Sequence, residues 1–419
     1  MPNKKIIPKE KGIDHTLNLI LEGYMYISNR CHSLHSNFFE TRLLGKKTIC
    51  MRGQEAVTLF YNNDKFKRNG AVPKRVVSSF FGKNSVQTLD TNSHYHRKNM
   101  LMSVMTNERI LQLKTIIKQQ WEKAIDQWEQ MEQVVLYEEV QQLLFRSACE
   151  WVGVPLDKKD VKTRTKEVAS LYESAASIGP AYWAGRRART NLNKWIGQLV
   201  QDIRSGKVNV HDHTILYHFA SYHDAAGKLL TPKTAAVEVL NLLRPIVAIS
   251  IFINFLTLAI YHYPEEKEKL TTGNALSMEI FIQEVRRFYP FFPFIAALVK
   301  QDFIWNDVYF KKGMLVILDI YGTNHDPTLW ENPDLFIPER FLNWKGSPFG
   351  FIPQGGGDYW IGHRCAGEWV TIEVMKESLD YLVNQIDYEI PKQDLSFSMV
   401  RMPSIPRSKV ILHHVKRKT

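Results

Sequence analysis

The residue with the most chemical reach is Cys365. It stands in Gly362-His363-Arg364-Cys365-Ala366-Gly367-Glu368, after a Gln354-Gly355-Gly356-Gly357 loop that backbone or ligand could approach closely. An amphipathic helix follows it. The positive end of that helix, with His363 and Arg364 alongside, favours a thiolate, and a thiolate is a strong ligand for haem iron. A small buried residue at a tight turn would read the same way.

A second site of interest is Arg244-Pro245, within Asn241-Leu242-Leu243-Arg244-Pro245-Ile246-Val247-Ala248. A guanidinium set against an apolar run is costly unless it meets an anion. Pro245 removes a helix hydrogen bond and bends the helix. A cation at a helix break in a core points to an anionic ligand, and arginine takes a carboxylate in two-pronged fashion. An internal salt bridge, or a helix end reaching solvent, is the plain alternative. Glu284 and Arg287 lie three apart and share a helix face. Arg340, in the turn Pro338-Glu339-Arg340-Phe341, could join them. Alone, each of these is an ordinary structural pair.

The elements that must position these residues are mainly helical. After Thr106, an N-cap, apolar residues recur at Ile110, Leu113, Ile117, Trp121, Ile125 and Trp128, in steps of three and four. Val140, Leu143, Leu144, Ser147, Ala148 and Trp151 mark a second helix. A third runs from Glu368 with Val370, Val374, Leu379, Leu382 and Ile386 inward. Strand signals are short: Thr48–Met51, and a hairpin of Phe303–Trp305 and Val308–Phe310 about Asn306-Asp307. The apolar run from Ile246 to Ile260 is shorter than the about 20 residues a membrane span needs, so a buried core helix is expected.

The 419 residues are 44% hydrophobic and 23% charged, which suits a globular chain with a large core and excludes disorder, collagen and coiled coil. No repeat or linker divides them, and a single domain over 1–419 is expected. Most of the +11 net charge sits at the ends: Lys4, Lys5, Lys9 and Lys11 at 1–11, and Arg407, Lys409, Lys416, Arg417 and Lys418 within 404–419. These read as solvated basic tails rather than a nucleic-acid face. Cys31, Cys50, Cys149 and Cys365 form no C-x-x-C pair, which argues against a zinc ribbon. No apolar segment follows Met1-Pro2-Asn3-Lys4-Lys5, so no signal peptide is expected. A cytoplasmic, reducing location without disulfides is the consequence.

Taken together and in order, Glu284-x-x-Arg287, the Pro-Glu-Arg-Phe segment, and the Cys-x-Gly helix start resemble the cytochrome P-450 superfamily of haem-thiolate enzymes. The resemblance implies a mainly α fold with small β-sheets, a triangular helical prism around a buried haem b. It makes Cys365 the axial ligand and Glu284, Arg287 and Arg340 a structural triad behind the haem. His94 and Lys98, four apart on one helix face after Asp90, take the place of propionate-binding cations. His363 and Gln354 join the cofactor's surroundings. Two departures stand out: Asp358 occupies the position seven before the cysteine where Phe is common, and the Gly355–Gly362 loop is long. The central helix also lacks the acid–alcohol pair that monooxygenases of the family place above the iron.

Arg244-Pro245 at that position is similar to the bacterial fatty-acid peroxygenase branch. Phe80-Phe81-Gly82-Lys83, Tyr321-Gly322-Thr323-Asn324-His325-Asp326 and Ile352-Pro353-Gln354-Gly355-Gly356-Gly357 agree with it. The resemblance implies hydrogen-peroxide-dependent hydroxylation of long-chain fatty acids at the α and β carbons, with no redox partner. The substrate carboxylate on Arg244 would supply the missing acid–base group, and the same clamp would hold Cα and Cβ nearest the oxidant. Gln87 stands where alkene-forming relatives carry His, so terminal-alkene formation is expected to be minor. Phe81, Phe291, Phe292, Phe294, Tyr172 and Ala175 are carried over as substrate-channel residues. The alternatives are a decarboxylase making mainly 1-alkenes, a reductase-dependent monooxygenase, and a non-catalytic haem or fatty-acid carrier.

Overall fold

The computed structural model describes residues 7–273 and 275–418. Lys4 and Lys5 lie outside them. Helices dominate, as the periodicity requires. Asn107–Trp128 starts where its cap says it should: the Thr106 hydroxyl accepts from the Arg109 N–H. Its face from Ile110 to Trp128 is buried as read. Leu136–Val152 ends at Gly153, which takes φ +84 and lies so close to Thr214 that a Cβ would stand 2.8 Å from it.

The axis of the molecule is the central helix, Pro232–Ala248. Thr231 caps it and Pro232 opens it. It packs on Leu136–Val152, Val161–Glu173 and Pro180–Arg204, and its apolar residues belong to the largest core cluster. After Ile249 the chain resumes as Ser250–His262, buried on every face up to Ile260. The two helices together match a membrane span in length and hydropathy, but they lie inside the fold. The break falls at Ile249, four residues beyond Pro245. Proline cannot donate to the Asn241 carbonyl, and the helix tolerates that loss before it parts.

A five-stranded sheet orders Phe38–Leu43, Lys46–Met51, Leu315–Asp319, Phe294–Val299 and Phe66–Lys67. Only the pairing of Lys46–Met51 with Leu315–Asp319 is parallel. The expected hairpin forms, Phe303–Trp305 against Val308–Phe310, with Asn306 and Asp307 both at positive φ.

Two expectations are corrected. The helix from Glu368 ends at Asp380; Leu382 sits in a π-turn and Ile386 opens a strand, so the apolar spacing ran across an element boundary. The C-terminal residues are no loose tail. Ile411–Arg417 is the middle strand between Gln133–Val135 and Ile386–Glu389. Lys409 pairs with Glu138, and Arg417 with Glu122 and Asp126. Between the basic residues at 407–409 and 416–418 lie Leu412 and Val415, which are buried.

Candidate active site

The cysteine is held by its loop. Its N–H donates to the Gln354 carbonyl at 3.2 Å, and the Gln354 amide nitrogen lies 3.9 Å from the sulfur and 2.9 Å from Thr371 Oγ1. The glycines permit this approach: Gly355 and Gly357 take φ of +90 and +77, and a Cβ on either would press within 3 Å of Tyr61. Behind the loop, Glu368 accepts from Arg286 and from Arg364, each at 2.6 Å. Arg286 also reaches Gln354 Oε1 at 2.9 Å.

This network changes which groups favour a thiolate: the Gly367 N–H at the helix start does so, with Lys98 and Arg286. Arg364 is engaged by Glu368 and is not free to favour a thiolate. Burial pushes the Cys365 thiol up, Glu368 adds to it, and Lys98, the Gly367 N–H and Arg286 oppose without prevailing.

The triad is formed as expected. Arg287 meets Glu284 in a two-pronged pair at 2.7 and 2.8 Å, both side chains fully buried. Arg340 reaches Glu284 at 3.2 Å, and the Ile337 N–H donates to the same carboxylate at 2.8 Å. Arg287 also binds the Asn324 and Pro333 carbonyls, while Asn324 Oδ1 accepts from the Ile352 N–H at 2.9 Å. The triad thus fixes the segment that leads into the cysteine loop.

Around the cysteine lies a cluster of bases. His94 stacks on His363 with ring centroids 3.8 Å apart. Lys98 Nζ donates to the Arg364 carbonyl at 2.6 Å. Arg68 is buried beside them, donating to the Phe60 carbonyl and lying over the Phe60 ring. Among the described residues no carboxylate pairs with any of the four; Asp90 spends its oxygens on the backbone N–H groups of Arg68 and Asn69. Burial, and then mutual repulsion, pushes His94 down to about 4 and His363 well below its usual range. Burial pushes Lys98 to about 8 and Arg68 to about 10. So many buried bases without an anion fit a ligand that brings two carboxylates, and the nearby sulfur fits its metal. Haem b meets both requirements.

Arg244, on the central helix, is 4% exposed and donates to the Phe80 carbonyl, its guanidinium 4.3 Å over the Phe80 ring. No aspartate or glutamate lies within ion-pair reach of it among the described residues, and burial pushes it down to about 10. The internal salt bridge that would have explained it is absent. Gln87, in the turn Val86–Thr88, accepts from Asn241 Nδ2 at 3.4 Å. Asn241 and Glu238 stand three and six residues before Arg244 on the central helix. The Glu238 carboxylate takes Asn241, Arg97 and the Val86 N–H, at 2.8 to 3.0 Å.

The channel residues separate. Phe80 gathers Phe81, with centroids at 4.6 Å, and Phe292, at 6.4 Å, beside Arg244. Phe291 stacks on Phe252 at 4.2 Å, and Phe294 packs into the cluster of Tyr26 and Phe39. Tyr172 is a core residue whose hydroxyl accepts from Gln141 at 2.7 Å. Ala175 lies in the half-buried turn after Val161–Glu173. Asp358 closes its own turn, accepting from the Trp360 and Ile361 N–H groups.

Arg68, Arg286, Glu238 and Arg189 were not singled out in the sequence, where each reads as an ordinary surface charge. Only Arg364 and Glu368, four apart at a helix start, carried a local signal.

The family Cytochrome P450 matches residues 277–408. The structure of cytochrome P450EX alpha (CYP152N1) with myristic acid is similar at TM-score 0.96 and 47% identity, covering 99% of this chain and all of that one. A variant of cytochrome P450 OleT in complex with arachidonic acid is similar at TM-score 0.95 and 34% identity, covering 99% of each. Cytochrome P450 26A1 of Danio rerio is 23% identical over 85% of this chain and 79% of its own length.

Proposed function

The chain belongs to the cytochrome P450 family, in the branch of the CYP152 structures, and on that premise we propose that it is a haem-thiolate peroxygenase of long-chain fatty acids. Its substrates are a fatty acid and hydrogen peroxide, and it needs no reductase or nicotinamide cofactor. The main products are 2- and 3-hydroxy acids. The observation that carries this reading is Arg244: a buried guanidinium with no acidic partner among the described residues, on a helix without an acid–alcohol pair.

Cys365 would hold the haem iron, and Arg68, His94, Lys98 and His363 its propionates. When bound, that group supplies the oxidising chemistry. The protein does the rest. Arg244 holds the substrate carboxylate and so brings in an acid–base group, since the nearby acid Glu238 is already bound by Arg97, Asn241 and the Val86 N–H. That carboxylate can take a proton from hydrogen peroxide and return it to the oxygen that leaves as water. Because Arg244 fixes the head group, Cα and Cβ are the carbons placed for reaction. Phe80, Phe81 and Phe292 give the chain an apolar, water-poor wall. Gln87 presents an amide, which cannot carry a full proton, and alkene formation stays minor.

The test is product analysis by gas chromatography and mass spectrometry. Ferric protein receives a long-chain saturated acid and hydrogen peroxide, with no reductase and no nicotinamide. Hydroxylation at C2 or C3 is expected. No product with peroxide, but turnover with a reductase and NADPH, would overturn the reading; binding without any product would make the protein a carrier.

A further inference from the structure

Arg244 is not the only buried cation at the head-group site. Arg189, on the helix Pro180–Arg204, is 3% exposed. Its Nε donates to the Ser79 carbonyl at 3.1 Å, and its Nη2 to the Phe80 carbonyl. Arg244 donates to that same Phe80 oxygen. Two guanidiniums that share one acceptor stand no more than about 6 Å apart, nitrogen to nitrogen. Neither has a carboxylate in ion-pair reach among the described residues. Glu238, the acid whose charge acts on both, is taken by Arg97, Asn241 and Val86. Arg189 Nη1 is buried with no hydrogen-bond partner among the described residues.

Capping the Ser79 and Phe80 carbonyls of the turn Val77–Phe81 explains Nε and Nη2. It does not explain a buried guanidinium with a spare donor beside a second guanidinium. Two uncompensated positive charges in one desolvated place call for an anion.

We propose that Arg189 is a second cation of the carboxylate site: the acid head group is held against two guanidiniums, Arg244 and Arg189, joined through the Phe80 carbonyl. This rests on the reading that Arg244 binds the substrate carboxylate. It deepens the substrate class: the site selects the ionised acid and rejects chains of equal length with a neutral head. Arg189 also holds Phe80 O in place, and with it the point on which Arg244 is aimed.

The experiment is calorimetric binding to the haem-loaded protein, with myristic acid and with 1-tetradecanol. Wild type should prefer the acid. Arg189→Gln should weaken acid binding about tenfold, the scale of one lost charge-assisted hydrogen bond, and leave the alcohol unchanged. Arg189→Lys, which can still meet the Ser79 and Phe80 carbonyls but offers no fork, should fall between, and it decides alone if the glutamine variant does not fold. Equal shifts for acid and alcohol, or no shift, would reduce Arg189 to a turn cap and overturn the inference. A wild type that does not prefer the acid would overturn the carboxylate reading itself.

Discussion

At the scale of single residues, the distal site is defined by what Arg244 lacks. A buried guanidinium whose one hydrogen bond among the described residues goes to a peptide carbonyl is poorly compensated, and a ligand carboxylate repairs that deficit. Arg244→Ala should cut peroxide-driven oxidation of fatty acids by about 10²-fold or more while haem content stays the same. Retained turnover would end the substrate-assisted mechanism. Gln87 tests the product ratio. It accepts from Asn241 through its oxygen, so its NH₂ group is the end left over. Gln87→His introduces a group that can carry a proton, and the alkene fraction should rise; an unchanged alkene-to-hydroxy-acid ratio by mass spectrometry would show that this position does not direct partitioning.

At the scale of elements, the site depends on short connections rather than on the long helices alone. Asp319 ends the strand Leu315–Asp319 and caps the turn of helix Ile320–Asn324, accepting from the Gly322 N–H at 2.7 Å and from Ser28 at 2.8 Å. That turn delivers Asn324 to both Arg287 and Ile352. Burial pushes Asp319 up to about 6, against its usual 3.8. The native state therefore binds this proton more tightly than the unfolded chain. The stabilisation is complete below the unfolded value and is lost as pH rises through about 6, a change of about 3 kcal/mol. Asp319→Asn should gain melting temperature relative to wild type as pH goes from 4 to 7. A difference that does not vary with pH would refute the assignment.

At the scale of the whole molecule, the chain closes on itself. The last strand, Ile411–Arg417, is paired on both sides and buries Leu412 and Val415, while Arg417 holds Glu122 and Asp126 on the helix Asn107–Trp128. A chain ending at Val410 should lose about 4 kcal/mol, since each buried aliphatic side chain contributes roughly 1.5–3 kcal/mol. Urea unfolding would read this as a lower midpoint. An unchanged midpoint would mean that the terminal strand is dispensable.

Local sequence was enough to read the cysteine and its helix, the Glu284–Arg287 pair, the arginine on the central helix, and the long amphipathic faces. Each of these is local: a periodicity, a cap, a spacing of three or four, or a charge set in an apolar run. Which charges find partners was settled by the packing of distant segments. Arg364 looked available to the cysteine and belongs to Glu368; Arg97 belongs to Glu238, while its neighbour Lys98 faces the cysteine loop. It also decided that the basic C-terminus is a strand, and that Arg189 and Arg244, 55 positions apart in the chain, meet at one carbonyl. Long-range pairing is set by how helices cross and loops close, and a charge carries no mark in the sequence of the partner that will neutralise it.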